Sequence, residues 1–318
     1  MGVRAALAFH PGSGKGAAAQ LAGAVASRLR PHVDALDVIE ADSVETFRTR
    51  LDTARAAGLD AVLMLGGDGA AHQGVQYCAG TDLALGLIPS GTGNDLARAL
   101  GVPTDPAAAV DAATTALNAH RTRRIDLGHI ERPHIERPHD DRPGADPAGT
   151  WFGTVLCTGF DASVNARANS LAWPPGPRRY DLAILAELAS FRARTVRVAT
   201  ERGEWEQPAM LVAVGNTAWY GAGIPICPAA DPEDGLFDVT VVGAVGYREL
   251  LRVLPRLRTG RHVEHSEVTT VRVRRVRIEP AGPERDAAGG WPVFADGEPL
   301  DGLPVSLTCV PRALPVLG

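Results

Sequence analysis

The chain has 318 residues, of which 45% are hydrophobic and 22% are charged, and it is long enough for two domains of ordinary size. Its formal net charge of −5 excludes a broadly basic nucleic-acid-binding protein, so we expect no nucleic-acid partner. The sequence shows no secretory signal and no apolar run of membrane-spanning length, which predicts a cytoplasmic protein. Its four cysteines lack paired spacing, which argues against a disulfide framework or a zinc site.

The first third of the chain repeats a short apolar strand, a glycine-rich turn and a helix. The three units comprise residues 5–9, PGSGKG and residues 17–29; residues 61–65, GGDG and residues 70–78; and residues 83–88, PSGTGND and residues 95–100. A further helix is predicted over residues 107–120. Because strands that alternate with helices form parallel sheets covered on both faces, we predict a doubly wound α/β domain over residues 1–125.

From about residue 125 onwards, short strand-like segments predominate. They cover residues 154–158, 196–200, 210–214, 237–242, 268–278 and 305–310, and helices are predicted at residues 180–191 and 247–257. This pattern predicts a second, mainly antiparallel β domain over residues 126–306. We expect the carboxyl-terminal segment, residues 307–318, to return to the first domain.

Three tandem pentapeptides, HIERP, HIERP and HDDRP, occupy residues 129–143. Their regularly spaced histidines can in principle bind a metal. Prolines at every fifth position, however, block regular structure and favour an extended, solvated loop. We therefore predict a flexible surface insertion over residues 129–149.

The GGDG turn is the first candidate phosphate site. Gly66, Gly67 and Gly69 leave the backbone bare where a phosphate must come close, and successive N–H groups can face the anion. The amino terminus of the following helix adds partial positive charge. Asp68 can order the loop, position a metal-bound water or bind a sugar hydroxyl. The alternative is a tight turn that the aspartate merely caps.

The PSGTGND turn strengthens this interpretation. Gly91 and Gly93 bracket Thr92, whose hydroxyl and amide can both donate to a phosphate oxygen, and Asn94 or Asp95 is placed to cap the next helix. Both turns follow strands that we expect to be adjacent. They would then meet at the carboxyl edge of one sheet, where α/β proteins place their ligands.

The PGSGKG turn is not a phosphate-binding Walker A motif, because Phe9 stands where the first glycine belongs and Gly16 follows the lysine. We predict a third turn near the nucleotide, with Ser13, Gly14 and Lys15 closest to it. A simple turn without a ligand is the alternative.

These three turns together resemble the diacylglycerol kinase catalytic-domain family, which includes bacterial lipid kinases and sphingosine and ceramide kinases. The similarity continues through RRIDLG at residues 123–128, CTGFDASV at residues 157–164, residues 215–239 and FADGEPL at residues 294–300. The resemblance implies a nucleotide domain like that of NAD kinases and diacylglycerol kinases, followed by an antiparallel β-sandwich. It also implies ATP-dependent phosphorylation of a lipid hydroxyl, most readily that of a diacylglycerol-like lipid.

The resemblance assigns a catalytic role to Glu298, which matches the family's proton acceptor. A positioned carboxylate can take the proton of a lipid hydroxyl as the bond to phosphorus forms. Burial would have to raise its pKa for efficient catalysis. The alternative is a charged hairpin turn, since DGE is common at hairpin tips.

The resemblance also implies two magnesium ions. Asp234 matches the family's structural Mg²⁺ ligand, and the backbone carbonyls of Asp231 and Leu236 would complete the protein side of that site. Such oxygen-only ligation suits magnesium. The second Mg²⁺ would arrive with ATP and neutralise charge between its phosphates.

The nucleotide-contacting positions of the family match residues 66–71 and Thr92, with departures. Ala70 stands where the family usually has threonine, and Ala71 follows it. His72 and Gln73 stand at the positions of an Asn-Glu pair. A hydroxyl and a carboxylate near the phosphates are therefore missing, which predicts weaker ATP binding.

Two other functions remain open from the sequence. An NAD kinase-like small-molecule kinase would share GGDG and the two-domain plan, although it should carry the Asn-Glu pair that this chain lacks. A non-catalytic lipid- or nucleotide-binding homologue would account for the residues that replace the family pattern.

A lipid substrate implies peripheral contact with the inner face of the membrane. The segment VRVRRVRI at residues 271–278 alternates apolar and basic residues, and each arginine near anionic headgroups can contribute about 1 kcal/mol. The alternative is a solvated strand face balanced by nearby glutamates, which is the usual situation for charge runs. We also consider a homodimer.

Overall fold

The computed structural model describes residues 2–131, 150–159, 193–221, 223–246, 249, 256–282 and 291–318. The helix predicted at residues 180–191, most of the one at residues 247–257 and the tandem pentapeptides from residue 132 onwards lie outside the described residues. The CTGFDASV motif is described only as far as Gly159. Within the described ranges, no helix combines the length and the apolar character needed to cross a bilayer.

The first part of the chain folds into a parallel sheet with helices on both faces. Its elements are β1 (Arg4–Phe9), α1 (Ala17–Leu29), β2 (Ala35–Glu40), α2 (Val44–Ala56), β3 (Ala61–Gly66), α3 (Asp68–Cys78), β4 (Ala84–Pro89), α4 (Asp95–Ala99) and α5 (Pro106–Asn118). The strand order is β4-β3-β1-β2, and all of these neighbours are parallel. The predicted α/β fold is confirmed. It contains one further strand and helix, β2 and α2, beyond the three predicted strand-turn-helix units.

Two apolar cores cover the opposite faces of this sheet, because successive side chains of a strand point in opposite directions. Met64 of β3 packs in one core with Leu51 of α2 and Val75 of α3. The next residue, Leu65, packs in the other core with Leu29 of α1. β3 and β4 are buried at every position, as expected of parallel strands covered on both faces.

The second part of the chain is antiparallel. Its strands are β5 (Thr122–Glu131), β6 (Thr150–Phe152), β7 (Val155–Gly159), β8 (Arg194–Thr200), β9 (Gly203–Gly215), β10 (Trp219–Tyr220), β11 (Ile224–Pro225), β12 (Phe237–Gly243), β13 (Val268–Val273), β14 (Arg275–Pro280), β15 (Val293–Ala295), β16 (Glu298–Leu300) and β17 (Val305–Leu317). The main path runs β16-β15-β7-β9-β8-β14-β17, and β12 and β13 branch from β9. The predicted antiparallel β domain is thus confirmed.

One strand, β17, belongs to both parts of the molecule. Its first half pairs with β14 and β5, and near its end Val316 lies opposite Leu85 of β4 in a parallel pair. Between Val310 and Leu314 its register with β5 shifts, and Arg312 there has a φ of 56°. A continuous sheet therefore joins the two parts, and the domain limits at residues 125 and 306 remain a proposal.

The single strand predicted over residues 268–278 is wrong, because the segment forms two strands separated at Arg274. β13 pairs with β12, whereas β14 pairs with β8 and β17. The backbone N–H of Arg274 donates to Oε1 of Glu201 at 2.6 Å, and its carbonyl accepts from the N–H of Cys309 at 2.8 Å. A signal was present in the sequence, since the alternation of apolar residues shifts by one at Arg274 and Arg275.

Candidate active site

The three glycine turns meet at the carboxyl ends of β1, β3 and β4, which are neighbours in the sheet. A Cβ built on Gly14 would lie 2.7 Å from the carbonyl oxygen of Ser90, and one on Gly66 would lie 3.0 Å from Oγ of Ser13. The PGSGKG turn therefore touches both of the other turns. Lys15, with a φ of 59°, is exposed at this edge.

The GGDG and PSGTGND turns are in backbone contact. A Cβ on Gly91 would lie 2.6 Å from Cα of Gly67, closer than side chains tolerate, so Gly91 must be glycine, and a Cβ on Gly67 would lie only 3.2 Å from Cα of Gly91. Gly69 and Thr92 are exposed beside this contact, whereas Ala71 is buried in the core that α3 shares with the sheet. Ala70 is partly buried against the same core. The exposed positions are the ones from which N–H and hydroxyl groups can reach a ligand.

Asp68 joins these two turns through its carboxylate. Its Oδ2 accepts from the N–H of Asn94 at 2.9 Å, and its Oδ1 accepts from the N–H of Asp95 at 2.6 Å. Asp68 therefore caps the amino terminus of α4 from another turn. Of the three roles considered for this residue, ordering the loop is the one that its contacts show.

Asn94, one of the two residues predicted to cap α4, occupies the N-cap position, but its side chain closes its own turn. It is the N-cap residue, with a φ of 56°, yet it makes no side-chain cap hydrogen bond. Its Nδ2 donates to the carbonyl of Gly91 at 2.8 Å, and its Oδ1 accepts from the N–H of Gly91 at 3.2 Å. Asp95 is the first helical residue.

Glu298 comes from the second part of the chain and lies beside the amino terminus of α3. A Cβ on Gly69 would lie 3.5 Å from Oε1 of Glu298. Glu298 begins β16, opposite Ala295 of β15, and its side chain is exposed. The burial on which its predicted activation depends is therefore absent from this structure. The residue nevertheless reaches the GGDG turn, although the two are far apart in sequence.

The turn that carries Glu298 consists of Asp296 and Gly297, with φ values of 53° and 85°. Positive φ at both central residues is the requirement of a type I′ hairpin turn, which Asp-Gly pairs favour. This turn fixes Glu298 as the first residue of the returning strand.

Asp296 anchors the turn with four hydrogen bonds. Its Oδ1 accepts from the N–H of Thr154 at 2.8 Å and from Oγ1 of Thr154 at 2.6 Å. Its Oδ2 accepts from the N–H of Gly153 at 2.9 Å and lies 3.1 Å from Nδ1 of His72. Burial acts to raise the pKa of Asp296, but these hydrogen bonds outweigh it and hold the pKa below its ordinary value.

Sequence reasoning missed Asp296 and gave His72 only as a departure from a family pattern. The signal for Asp296 was the Asp-Gly pair itself, which predicts a turn whose aspartate faces a specific backbone. The signal for His72 was its place four residues after Asp68, on one face of α3.

The loop of residues 231–236 contains the residues predicted to bind Mg²⁺. Oδ1 of Asp234 accepts from the N–H of Leu236 at 2.9 Å, and Oδ2 contacts the guanidinium of Arg272. Oδ1 of Asp231 accepts from the N–H of Glu233 at 3.0 Å. The described residues contain no cluster of three His, Cys, Asp or Glu side chains that could hold a metal.

Comparisons with known proteins agree along the length of the chain. Residues 4–130 match the diacylglycerol kinase catalytic domain, and residues 154–318 match the YegS C-terminal NAD kinase beta sandwich-like domain. A Mycobacterium tuberculosis protein named diacylglycerol kinase is 41% identical over 313 residues, which cover 97% of this chain and 93% of that protein. A Pseudomonas aeruginosa protein named "Probable lipid kinase YegS-like" is 29% identical and covers 85% of this chain and 80% of its own length.

Solved structures share the fold at low sequence identity. A Bacillus anthracis diacylglycerol kinase structure has a TM-score of 0.68 at 18% identity, covering 99% of this chain and 97% of that one. Yeast NADH kinase has a TM-score of 0.50 at 11% identity, covering 97% of this chain and 78% of its own. With both family domains matched in order and a relative of 41% identity over nearly the whole length, the chain belongs to the diacylglycerol kinase catalytic-domain family.

Proposed function

We propose that this protein is a lipid kinase that transfers the γ-phosphoryl group of ATP to a lipid hydroxyl, with a diacylglycerol-like lipid as acceptor. The observation that carries the proposal is the approach of Oε1 of Glu298 to Gly69, at the amino terminus of α3. This contact supports a phosphoryl-transfer position that lies beside both the carboxylate and the glycine-rich turn.

The residues at the carboxyl edge of the parallel sheet and those of the β15–β16 hairpin have different roles in the proposed reaction. Exposed backbone at Gly69 and the hydroxyl of Thr92 hold the phosphates, and the amino terminus of α3 adds favourable partial charge. Glu298 accepts the proton of the lipid hydroxyl as its oxygen bonds to the γ-phosphorus. The bond from that phosphorus to the bridging oxygen breaks, which leaves ADP.

Because Glu298 is exposed, its role as proton acceptor requires that the bound substrate shield it from water. A lipid that enters over the β15–β16 hairpin would cover the carboxylate and remove water from it. We therefore propose that the headgroup of the acceptor lies beside Glu298, over the hairpin and the exposed amino terminus of α3. The acyl chains would leave this position towards the β-rich part of the molecule.

Magnesium is proposed at two places. One Mg²⁺ would be bound together with ATP, where its charge would offset that of the phosphates. The other suits the loop of residues 231–236, whose donors would be the carboxylate of Asp234 and the carbonyls of Asp231 and Leu236. Oxygen donors of this kind fit magnesium, but Arg272 already contacts Asp234 there. The guanidinium and a metal would therefore compete for the same carboxylate.

We propose peripheral association with the inner membrane face, and a homodimer remains a prediction. Two of the four arginines of the predicted basic strand already have acidic partners, since Arg272 pairs with Asp234 and Arg277 with Glu279. These pairs favour the interpretation of a balanced, solvated face for that strand. Sedimentation with anionic and with neutral vesicles tests the membrane contact, and analytical ultracentrifugation tests the dimer.

The test of the function is a phosphorylation assay with labelled ATP, Mg²⁺ and, in separate reactions, diacylglycerol micelles, NAD or a total lipid extract. We expect label in a lipid product and none in NAD. Label in NAD alone would establish the small-molecule kinase. Binding of ATP or lipid without transfer to any acceptor would establish the non-catalytic homologue.

A further inference from the structure

Helix α3 contacts the hairpin that carries Glu298 at two places. At its amino terminus, Gly69 faces Glu298, and one turn later His72 faces Asp296. Asp296 and Glu298 flank Gly297 and so belong to the same two-residue hairpin. The helix therefore contacts both carboxylates of this hairpin, the exposed one of Glu298 and the hydrogen-bonded one of Asp296.

The contact between His72 and Asp296 is enclosed. The side chains are 8% and 6% exposed, and Nδ1 lies 3.1 Å from Oδ2. An ionised carboxylate can only accept hydrogen bonds, so Nδ1 of His72 carries the proton that it donates. A hydrogen bond to a charged group in a place with so little solvent is stronger than an exposed one.

We propose that His72 is a positioning residue for phosphoryl transfer, which acts by holding Asp296 and thereby fixing Glu298 over the amino terminus of α3. The inference rests on the proposed function. His72 does not touch the reacting atoms in this role. Its effect is to fix the distance between the hairpin and the GGDG turn, which come from different parts of the chain.

The family pattern has asparagine at this position, and its side-chain amide is also a hydrogen-bond donor. His72→Asn can therefore replace the bond to Asp296, whereas His72→Ala cannot. The two variants separate loss of this hydrogen bond from loss of the imidazole ring itself.

Gln76 offers a matched control on the same helix. One turn beyond His72, its Nε2 donates to the carbonyl of Trp151 at 2.5 Å, and its Oε1 accepts from the N–H of Trp151 at 3.1 Å. It joins α3 to β6 in the same way that His72 joins α3 to the hairpin. Both of these hydrogen bonds go to β6 and not to the hairpin. Gln76→Ala therefore reports on the general effect of weakening the contacts of α3.

The experiment compares His72→Ala, His72→Asn and Gln76→Ala with the wild type in the full chain, and measures kcat, the KM values for ATP and diacylglycerol, and Tm. We expect kcat of His72→Ala to fall about 10- to 100-fold with KM for ATP changed less than about 3-fold, since small misplacements of reacting groups have effects of this size. His72→Asn should recover most of kcat. Gln76→Ala should lower Tm but keep kcat within about 2-fold.

A second comparison uses Glu298→Gln as the background. If His72 acts through Glu298, His72→Ala should reduce the residual rate of Glu298→Gln by less than about 3-fold, because coupled residues are not additive. Equal losses in both backgrounds, or matched effects of His72→Ala and Gln76→Ala on kcat, overturn the inference while leaving the kinase active. An inactive wild type overturns the proposed function and the inference together.

Discussion

Two aspartates that precede glycine, Asp68 and Asp296, organise the two sides of the candidate site in different ways. Each carboxylate accepts hydrogen bonds from two successive backbone N–H groups of a distant segment. The donors to Asp68 lie in the neighbouring turn of the same sheet. Asp296 accepts in addition from the side chains of Thr154 and His72, which belong to different parts of the molecule.

The same Asp-Gly pair thus has two different structural roles in this molecule. Asp68 orders the PSGTGND turn, where we propose that phosphates bind, and its hydrogen bonds stay within the α/β part. Asp296 sets the relative position of two parts of the chain. Substitutions at the two positions should therefore differ in which kinetic parameter they change, and not merely in severity.

The largest effect should come from Glu298, whose carboxylate is exposed beside the amino terminus of α3. Glu298→Gln keeps the shape of the side chain but cannot accept the hydroxyl proton, so kcat should fall about 10²- to 10⁴-fold. Transfer of label from ATP to diacylglycerol measures this loss, and circular dichroism checks the fold. Glu264→Gln, which removes an exposed partner of Arg261, is the control and should leave kcat unchanged. Substantial activity in Glu298→Gln would assign the proton acceptor elsewhere.

A smaller but still large effect is expected for Asp296→Asn. The amide oxygen can accept from only one of the N–H groups of Gly153 and Thr154, because the amide nitrogen does not accept, so the hairpin turn loses part of its anchor. We expect kcat to fall about 10²-fold, with an unfolding free energy lower by about 1–3 kcal/mol. Steady-state kinetics and urea unfolding measure both. An unchanged kcat with lowered stability would show that Asp296 has no part in placing Glu298.

Asp68→Asn should show the opposite kinetic pattern. The amide can satisfy only one of the N–H groups of Asn94 and Asp95, so the PSGTGND turn loosens and α4 loses its cap at a cost of about 1 kcal/mol. We expect KM for ATP to rise about 10-fold while kcat changes less than about 3-fold, measured by varying ATP at saturating lipid. A fall in kcat equal to that of Asp296→Asn would remove the distinction between the two aspartates.

The smallest effect concerns Asp238, an aspartate that is buried in the β-rich part of the chain. Its Oδ2 accepts no hydrogen bond from the described part of the chain, and Nε of Arg272 lies 3.4 Å away. Burial raises the pKa of Asp238 to about 6. Because the folded pKa exceeds the unfolded value, the folded state holds the proton more tightly, and the wild type loses stability as pH rises from about 4 to above 6.

Asp238→Asn removes this titration. We expect its Tm to exceed that of the wild type by a few degrees at pH 8 and to match it near pH 4, as measured by differential scanning calorimetry across that range. A Tm difference that does not change with pH would show that the carboxylate is not the cause.

Local sequence signals were sufficient for much of the α/β part. Helix α1 spans the predicted residues, and the contact between Gly67 and Gly91 follows from two glycine turns after adjacent strands. In both cases the information is local, in periodicity and in glycines that permit close backbone contact. The placement of Glu298 came from resemblance to a family, not from any local pattern.

The hydrogen bonds that hold the site together were beyond sequence reasoning. His72 and Asp296 are 224 residues apart, so their contact depends on how the β-rich part packs against α3. The side-chain roles of Asp68 and Asn94 were similarly ambiguous, because either residue can cap a helix and only the geometry of the folded turns selects between them.

The path of β17 has a consequence for biosynthesis. The edge of β4 is covered by a strand that the ribosome makes 231 residues later, since Val316 lies opposite Leu85 (316 − 85). Until that strand emerges, β4 presents unpaired backbone groups to its surroundings, a risk for nascent chains. The α/β part, although first to be translated, is therefore among the last regions to complete its hydrogen bonding.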